Sequence, residues 1–143
     1  MGTDGHVAPV TRVSFRVSAR LLDRGLAIDL VATLVEHVKT ADSSFRDAIT
    51  TAFGEAFNNV VVHGYANRSD GILDVEAELG ADHMTLTLTD TGASADLTVV
   101  PLPDLETLPE GGLGVFMMHS LVDEVVYRAG SPNVLSLTKR TGR

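Results

Sequence analysis

Apolar residues in this chain recur with two different periods, and the order of those periods constrains the fold more than any other feature. They alternate with polar residues over 10–17, 72–79 and 84–89, which predicts half-buried strands. Over 19–39 and 45–65 they recur with a helical period, which predicts two long helices. A last helix is predicted over 113–121, followed by strands over 122–128 and 134–139.

The predicted strands cluster in the sequence instead of alternating strictly with helices. The order is strand, two helices, two strands, a long loop, a helix and two strands. This order favours an α+β two-layer sandwich, in which helices cover one face of a mixed, mostly antiparallel sheet. We expect residues 1–9 to be a disordered tail and residues 10–143 to form a single domain.

Each predicted helix has an apolar stripe that should face the core. In the first helix the residues at four-residue spacing are Leu22, Leu26, Leu30, Leu34 and Val38. In the second helix the stripe consists of Phe45, Ile49, Ala52, Phe53, Ala56 and Val60. Asp42, Ser43 or Ser44 can cap the start of the second helix, because their side-chain oxygens accept hydrogen bonds from free backbone N–H groups.

Composition argues against several classes of function. The formal net charge is -8, so a nucleic-acid partner is not expected, because phosphate neutralisation needs clustered Lys and Arg. The absence of cysteine excludes disulfides and thiolate chemistry. No apolar stretch approaches the roughly 18 residues of a membrane span, and no signal peptide is recognised at the start of the sequence. We therefore expect a soluble, cytoplasmic protein.

The second predicted helix carries polar residues beside its apolar stripe. Glu55, Asn59 and His63 are four residues apart and share one helix face. The Asn59 carbonyl oxygen could be a ligand of Mg²⁺, which prefers oxygen, and this would leave Glu55 free to accept a proton. Ordinary polarity at a helix edge, with both side chains hydrogen-bonded locally, explains the same spacing.

Asp90-Thr91-Gly92 stands at the end of a predicted strand. The carboxylate could accept a hydrogen bond from a base amino group, and Gly92 would let a flat ring approach the backbone. A plain turn that closes the strand is the alternative. The loop from Asp90 to Gly112 has about 20 residues, three prolines and no clear period, which is typical of a functional lid or a disordered segment.

Glycines lead from this loop into the last predicted helix. Gly111, Gly112 and Gly114 would leave backbone N–H groups free at a helix N-terminus, which suits a phosphate. The alternative is a flexible loop that precedes a helix whose Leu113, Phe116 and Met117 belong to the core. A Walker loop is excluded, because no Gly-Lys-Ser/Thr follows the glycines.

Taken together, these segments resemble the ATPase superfamily of gyrase, heat-shock chaperones, histidine kinases and mismatch-repair ATPases. The resemblance is closest to the anti-sigma-factor serine kinases of the SpoIIAB and RsbW type and covers about residues 10–140. It implies a histidine-kinase-like ATPase fold with an ATP lid, and ATP and Mg²⁺ as ligands. By that resemblance Glu55 is the general base, Asn59 the Mg²⁺ ligand, and Asp90 the residue that recognises the adenine amino group.

The same resemblance assigns the remaining residues of the ATP site, which are His63, Gly92, Gly111, Gly112, Leu113, Gly114 and Thr138. Thr138 is the candidate for a polar residue on the last strands that helps the adenine-binding Asp. Two positions depart from the family pattern. Ser94 stands where a glycine is common, and the segment from Thr91 to Leu121 has no Lys or Arg to meet the triphosphate charge.

The resemblance implies a kinase that phosphorylates a serine of an anti-sigma-factor antagonist, a small STAS-domain protein, and also sequesters a sigma factor. It further implies a homodimer. A non-catalytic module that binds nucleotide or a sigma factor is the alternative, and retention of Glu55 favours the enzyme. The catalytic domain of a histidine kinase fits less well, because no dimerisation helix with a phospho-acceptor precedes it in the sequence.

Overall fold

The part of the chain that the computed structural model describes, residues 9–94 and 112–142, contains five strands and three α-helices. The strands are β1 (Thr11–Ser18), β2 (Ile72–Leu79), β3 (His83–Asp90), β4 (Glu124–Arg128) and β5 (Asn133–Arg140). The helices are α1 (Arg24–Val35), α2 (Ser43–Asn58) and α3 (Gly112–Leu121). A 3-10 turn (Leu21–Asp23) precedes α1, and a π-helical turn (Asn59–Gly64) continues α2.

The strands form one sheet in the order β1-β2-β3-β5-β4, and each neighbouring pair is antiparallel. The predicted α+β class is confirmed, although the described strands include none of the parallel pairs that a mixed sheet would have. Alternate residues of the three inner strands are buried against the helices, and the intervening residues are more exposed. The register places Asp90, the last residue of β3, directly opposite Asn133, the first residue of β5.

Helix α2 contributes most of the helical side of the core. Every residue of its predicted stripe is buried, and Phe53 and Phe57 pack with their ring centroids 6.3 Å apart. Asp42 is the N-cap, and its side chain accepts a hydrogen bond of 2.8 Å from the Phe45 N–H. Such a cap stabilises a helix by about 1 kcal/mol, which explains why α2 begins where it does.

Helix α1 turns a different face to the core from the one that its leucine spacing predicts. The buried residues are Ala27, Val31 and Val35, whereas Leu22 and Leu26 are 83% and 56% exposed. The prediction of a core-facing stripe is therefore wrong for Leu22 and Leu26, whereas Leu34 packs against the core and Val38 is buried. Both sets recur every four residues, so the period alone cannot decide which one is buried.

Most of the predicted tail (residues 1–8) and of the predicted lid (residues 95–111) lies outside the described residues. The buried apolar residues that are described form one core between the sheet and the helices. None of the helices in the described ranges is long and apolar enough to cross a membrane.

A charged cluster closes the hairpin between β2 and β3. The His83 ring lies 2.8 Å from Glu78 (Nε2 to Oε2) and 3.3 Å from Asp82 (Nδ1 to Oδ1). Arg12 also pairs with Glu78, at 2.8 Å. The hydrogen bond with Glu78 is the main cause that raises the pKa of His83, and the same bond lowers the pKa of Glu78.

This pair makes stability depend on pH. His83 makes its full contribution to the free energy of unfolding below its unfolded pKa of about 6.5. That contribution is lost as the pH rises through the higher pKa that His83 has in the folded protein. The contribution of Glu78 is present above about pH 4.3 and is lost as the pH falls through its lower folded pKa. The pair therefore stabilises the fold most between about pH 4.3 and 6.5.

We expect His83→Gln to lower the melting temperature by about 2–4 °C at pH 6 and by less at pH 8.5, because wild-type His83 loses its charge there. Thermal unfolding at both pH values measures the difference. His37→Gln, at an exposed histidine after α1, is the matched control and should change neither value. An equal loss for His83→Gln at both pH values would contradict this assignment.

Candidate functional site

A π-helical turn continues α2 and lies against the residues that follow β3. Tyr65 donates its N–H to the Val60 carbonyl at 2.9 Å, a bond one residue wider than in an α-helix. The buried Tyr65 hydroxyl donates to the Ile72 carbonyl at 2.7 Å and accepts from the Thr91 N–H at 2.9 Å. Tyr65 therefore holds the chain after β3 next to the start of β2.

Gly92 allows the π turn to lie directly against this part of the chain. A Cβ atom at residue 92 would lie 2.5 Å from the Gly64 carbonyl oxygen, so only glycine fits at Gly92 without a shift of the backbone. The Ala93 N–H donates to the same oxygen at 2.7 Å. On the other side of the turn, a Cβ atom at Gly64 would lie 3.7 Å from Asp90 Oδ1.

The Glu55 carboxylate lies against the first turn of α3. A Cβ atom at Gly114 would be 2.7 Å from Glu55 Oε2, so the absence of a side chain at Gly114 makes room for the carboxylate. Helix α3 begins at Gly112, Leu113 is 46% exposed, and Gly111 lies outside the described residues. The first N–H groups of a helix lack partners within the helix and can bind an anion.

Asn59 lies between these two contacts, at the junction of α2 and the π turn. Its side chain is buried, and its Nδ2 atom has no hydrogen-bond partner among the described residues. A buried amide group without a partner costs about 1–3 kcal/mol, so this residue is poorly explained by the fold alone. His63 has the predicted spacing but is exposed, whereas Asn59 is buried.

The described residues contain no group of three or more His, Cys, Asp or Glu side chains that could hold a metal ion by themselves. Mg²⁺ does not require such a group, since it often binds through one or two protein oxygens together with phosphates and water. The Asn59 amide supplies an oxygen of the preferred type, and its other end has no partner. The residues present therefore fit a magnesium ion that is shared with a bound phosphate.

Asp90 is buried at the end of β3 and is held by a neighbouring strand. Its Oδ1 accepts from the Gly92 N–H at 2.9 Å and from Asn133 Nδ2 at 3.0 Å. The sequence pattern did not indicate Asn133, which immediately precedes the strand predicted over 134–139. The only signal in the sequence is the position of this residue at the start of an alternating strand, and the opposition to Asp90 emerges only from the sheet register.

Thr138, the sequence candidate for this supporting role, lies elsewhere. It is five residues further along β5 and therefore on the opposite face of the sheet. Its hydroxyl is 2.9 Å from that of Thr85. The structure does not bring Thr138 to Asp90, and Asn133 takes the position that Thr138 was expected to hold.

Four of the predicted residues, together with Gly64, thus form two clusters that α2 and its π turn connect. One cluster is Glu55 with Gly114, and the other is Asp90 with Gly92 and Gly64. The first combines a carboxylate with the N-terminus of α3, and the second offers a buried acceptor for a flat polar group. This arrangement can bind a ligand that has a hydrogen-bond donor at one end and negative charge at the other.

Comparison with known proteins places this geometry in a family. Residues 17–139 match the family described as the histidine kinase-like ATPase domain. The chain is 34% identical over 100 residues to an anti-sigma F factor of Clostridium beijerinckii. This match covers 65% of this chain and 67% of that protein. It is 33% identical over 97 residues to the serine-protein kinase RsbW of Staphylococcus aureus, which covers 62% of this chain and 61% of that protein.

A solved structure is similar in fold. The crystal structure of the RsbU and RsbW domains of Rv1364c from Mycobacterium tuberculosis superposes with a TM-score of 0.67 at 22% identity. The match covers 93% of this chain and 33% of that one. Because the family match spans most of the sequence and the fold agrees, the chain belongs to the histidine kinase-like ATPase family, and its resemblance to the anti-sigma-factor serine kinases of that family is confirmed.

Proposed function

We propose that this chain is an ATP-dependent protein serine kinase and anti-sigma factor that works in the cytoplasm. Its substrate is a serine of a STAS-domain anti-sigma-factor antagonist, and it also sequesters a sigma factor. Residues 10–143 form the single domain that does both. The observation that carries this proposal is the continuity of α2 and its π turn, which connects Glu55 at the N-terminus of α3 with Asp90 at the end of the sheet.

Each cluster of the site has a role in binding ATP. Asp90 accepts a hydrogen bond from the adenine amino group, and Gly92 lets the base approach the backbone. The N–H groups at the start of α3, with Gly112, Leu113 and Gly114, bind phosphate oxygens. His63 and Gly111, which the family resemblance also places in the site, remain predictions.

Asn59 would hold Mg²⁺ together with the phosphates, and the ion would supply neutralisation of the phosphate charge. Glu55 accepts the proton of the substrate serine hydroxyl. The serine oxygen bonds to the terminal phosphorus of ATP as the bond from that phosphorus to ADP breaks. The products are a phosphoserine and ADP. Phosphoryl transfer depends mainly on positioning and charge stabilisation, so these few side chains suffice.

The experiment that tests this function is incubation of the chain with radiolabelled ATP, Mg²⁺ and candidate STAS-domain proteins from the same genome. We expect label on a serine of one candidate and none when that serine is replaced by alanine. Absence of ATP binding would overturn the proposal. ATP binding without transfer would support the second candidate, a non-catalytic binding module, which the lack of Lys and Arg between Thr91 and Leu121 favours.

The unexpected exposure of α1 supports the proposal of a homodimer. Leu22, Leu26 and Leu30 are 83%, 56% and 36% exposed and follow one another at four-residue spacing. Leu26 and Leu30 lie one turn apart on α1, Leu22 lies in the 3-10 turn before it, and exposed apolar surfaces of this kind often mark protein interfaces. We propose that a second copy of the chain covers these leucines.

Leu26→Lys should separate the dimer into monomers and raise its dissociation constant about 100-fold, because an unpaired charge would be buried at the interface. Light scattering gives the mass, which should fall from twice the chain mass to 15.2 kDa. Val126→Lys, at an exposed apolar residue of β4, is the matched control and should remain dimeric. A wild-type chain that is already monomeric at high concentration would contradict the homodimer.

A further inference from the structure

Asn133 is a buried polar residue to which the proposed function assigns no role. It is 1% exposed and stands at the start of β5. Its Nδ2 donates to Asp90 Oδ1 at 3.0 Å and to the Gly92 carbonyl at 2.9 Å. Its Oδ1 accepts from the Ser94 hydroxyl and from the Gly130 N–H, the latter at 3.0 Å.

These bonds use the whole hydrogen-bonding capacity of the Asn133 amide. A side-chain amide has two N–H donors and an oxygen with two lone pairs, and each finds a partner here. Reversal of the amide would set its NH₂ group against the Gly130 N–H and the Ser94 hydroxyl, and its oxygen against two acceptors. The orientation of the amide is therefore fixed by its surroundings.

A fixed amide also fixes the Asp90 carboxylate. Oδ1 of Asp90 already accepts two hydrogen bonds, one from Gly92 and one from Asn133. Neither of these bonds uses Oδ2. Oδ2 is then the carboxylate oxygen that remains to accept a hydrogen bond from a ligand. A base with an amino group at the facing position is accepted, whereas a base with a carbonyl oxygen there would set two acceptors against each other.

Ser94 connects this network to the chain that leaves β3. In sequence it is a departure from the family pattern, since a glycine is common at this position. In the structure its hydroxyl supplies one of the two donors that orient the Asn133 oxygen. Ser94, which departs from the family pattern, and the buried Asn133 are thus the donor and the acceptor of one hydrogen bond.

We propose that Asn133, oriented by Ser94, is a positioning residue that sets the nucleobase specificity of Asp90. The inference rests on the proposed ATP site, because it concerns how that site distinguishes adenine from guanine. Without Asn133 the carboxylate can rotate, so that its acceptor oxygen is no longer held toward the base. The preference for ATP over GTP then falls, even where the fold is retained.

The test is the ratio of the dissociation constants for ATP and GTP, measured on the full chain with Mg²⁺ present. We expect wild type to prefer ATP and Asn133→Ala to lower that preference about tenfold, since a hydrogen bond to a charged group is lost. Ser94→Ala should lower it by about threefold, because one of the two orienting donors remains. Ser94→Thr keeps the hydroxyl and should restore the wild-type ratio.

Ser136→Ala is the matched control. Ser136 lies on β5 as well, but its hydroxyl contacts Thr87 on the exposed face of the sheet at 3.3 Å. Its ratio should equal that of wild type. Failure of wild type to bind ATP would overturn the proposed function itself.

An unchanged ATP-to-GTP ratio in folded Asn133→Ala, beside a wild type that prefers ATP, would overturn this inference alone. If Asn133→Ala does not fold, the Ser94 variants decide. An unchanged ratio in Ser94→Ala would then count against the inference, and a lowered ratio that Ser94→Thr restores would support it.

Discussion

Glu55→Gln is expected to lower the rate of phosphoryl transfer by roughly 10²–10⁴-fold, the usual contribution of a general base, and to leave ATP affinity within about twofold. The amide keeps the shape of the side chain and its position against Gly114, where a Cβ atom would be 2.7 Å from Oε2. It cannot accept the serine proton. Binding and transfer should therefore separate in this variant.

Single-turnover transfer of label to the antagonist measures the rate, and titration with nucleotide measures the affinity. Glu76→Gln is the matched control, since Glu76 is an exposed glutamate on the open face of the sheet. It should change neither quantity. Transfer at the wild-type rate by Glu55→Gln would show that Glu55 is not the base.

The fold could be predicted from periodicity where one face of an element is clearly apolar. The predicted bounds of β2 match the structure, and α2 buries its predicted stripe. Helix α1 shows the limit of this reasoning. Its leucines and its smaller residues Ala27 and Val31 have the same period, so the choice of buried face depends on packing against the sheet and α2.

The site could be predicted as a set of motifs but not as a network. The sequence indicates Glu55, Asn59 and Asp90, because each has a characteristic spacing from a glycine or a helix face. Asn133 could not be found in this way, since its role depends on the register of two strands that are distant in sequence. Thr138 has a suitable side chain on the same strand but points to the other face.

The π turn is a further feature that periodicity does not reveal. A helical wheel places Asn59 and His63 on one face, whereas the wider turn buries Asn59 and exposes His63. The turn also brings the Gly64 carbonyl onto Gly92, which joins the helix to the strand end. In the π turn, therefore, only one of these two predicted polar residues is buried.

Asn59→Ala is expected to remove the magnesium-dependent part of ATP affinity. Loss of a residue that only supports a metal ligand usually costs 10–100-fold, so loss of the proposed ligand itself should cost about 100-fold. The dissociation constant for ATP should then be the same with Mg²⁺ as with a chelator. In wild type, Mg²⁺ should tighten binding.

The same substitution should leave the ligand-free protein nearly as stable as wild type. Asn59 Nδ2 is buried without a partner among the described residues, so its removal relieves a cost that offsets the lost packing. We expect the ligand-free melting temperature to change by less than about 2 °C, while the stabilisation by Mg²⁺ and ATP disappears. A residue that served only the fold would show the reverse pattern.

Asn58→Ala is the matched control, since Asn58 is the preceding residue, has the same side chain and is less buried. It should keep the effect of Mg²⁺ on ATP affinity. Mg²⁺ could instead tighten ATP binding by the same factor in Asn59→Ala as in wild type. In that case other residues would have to hold the ion. An asparagine that the fold leaves partly unsatisfied would then need another explanation.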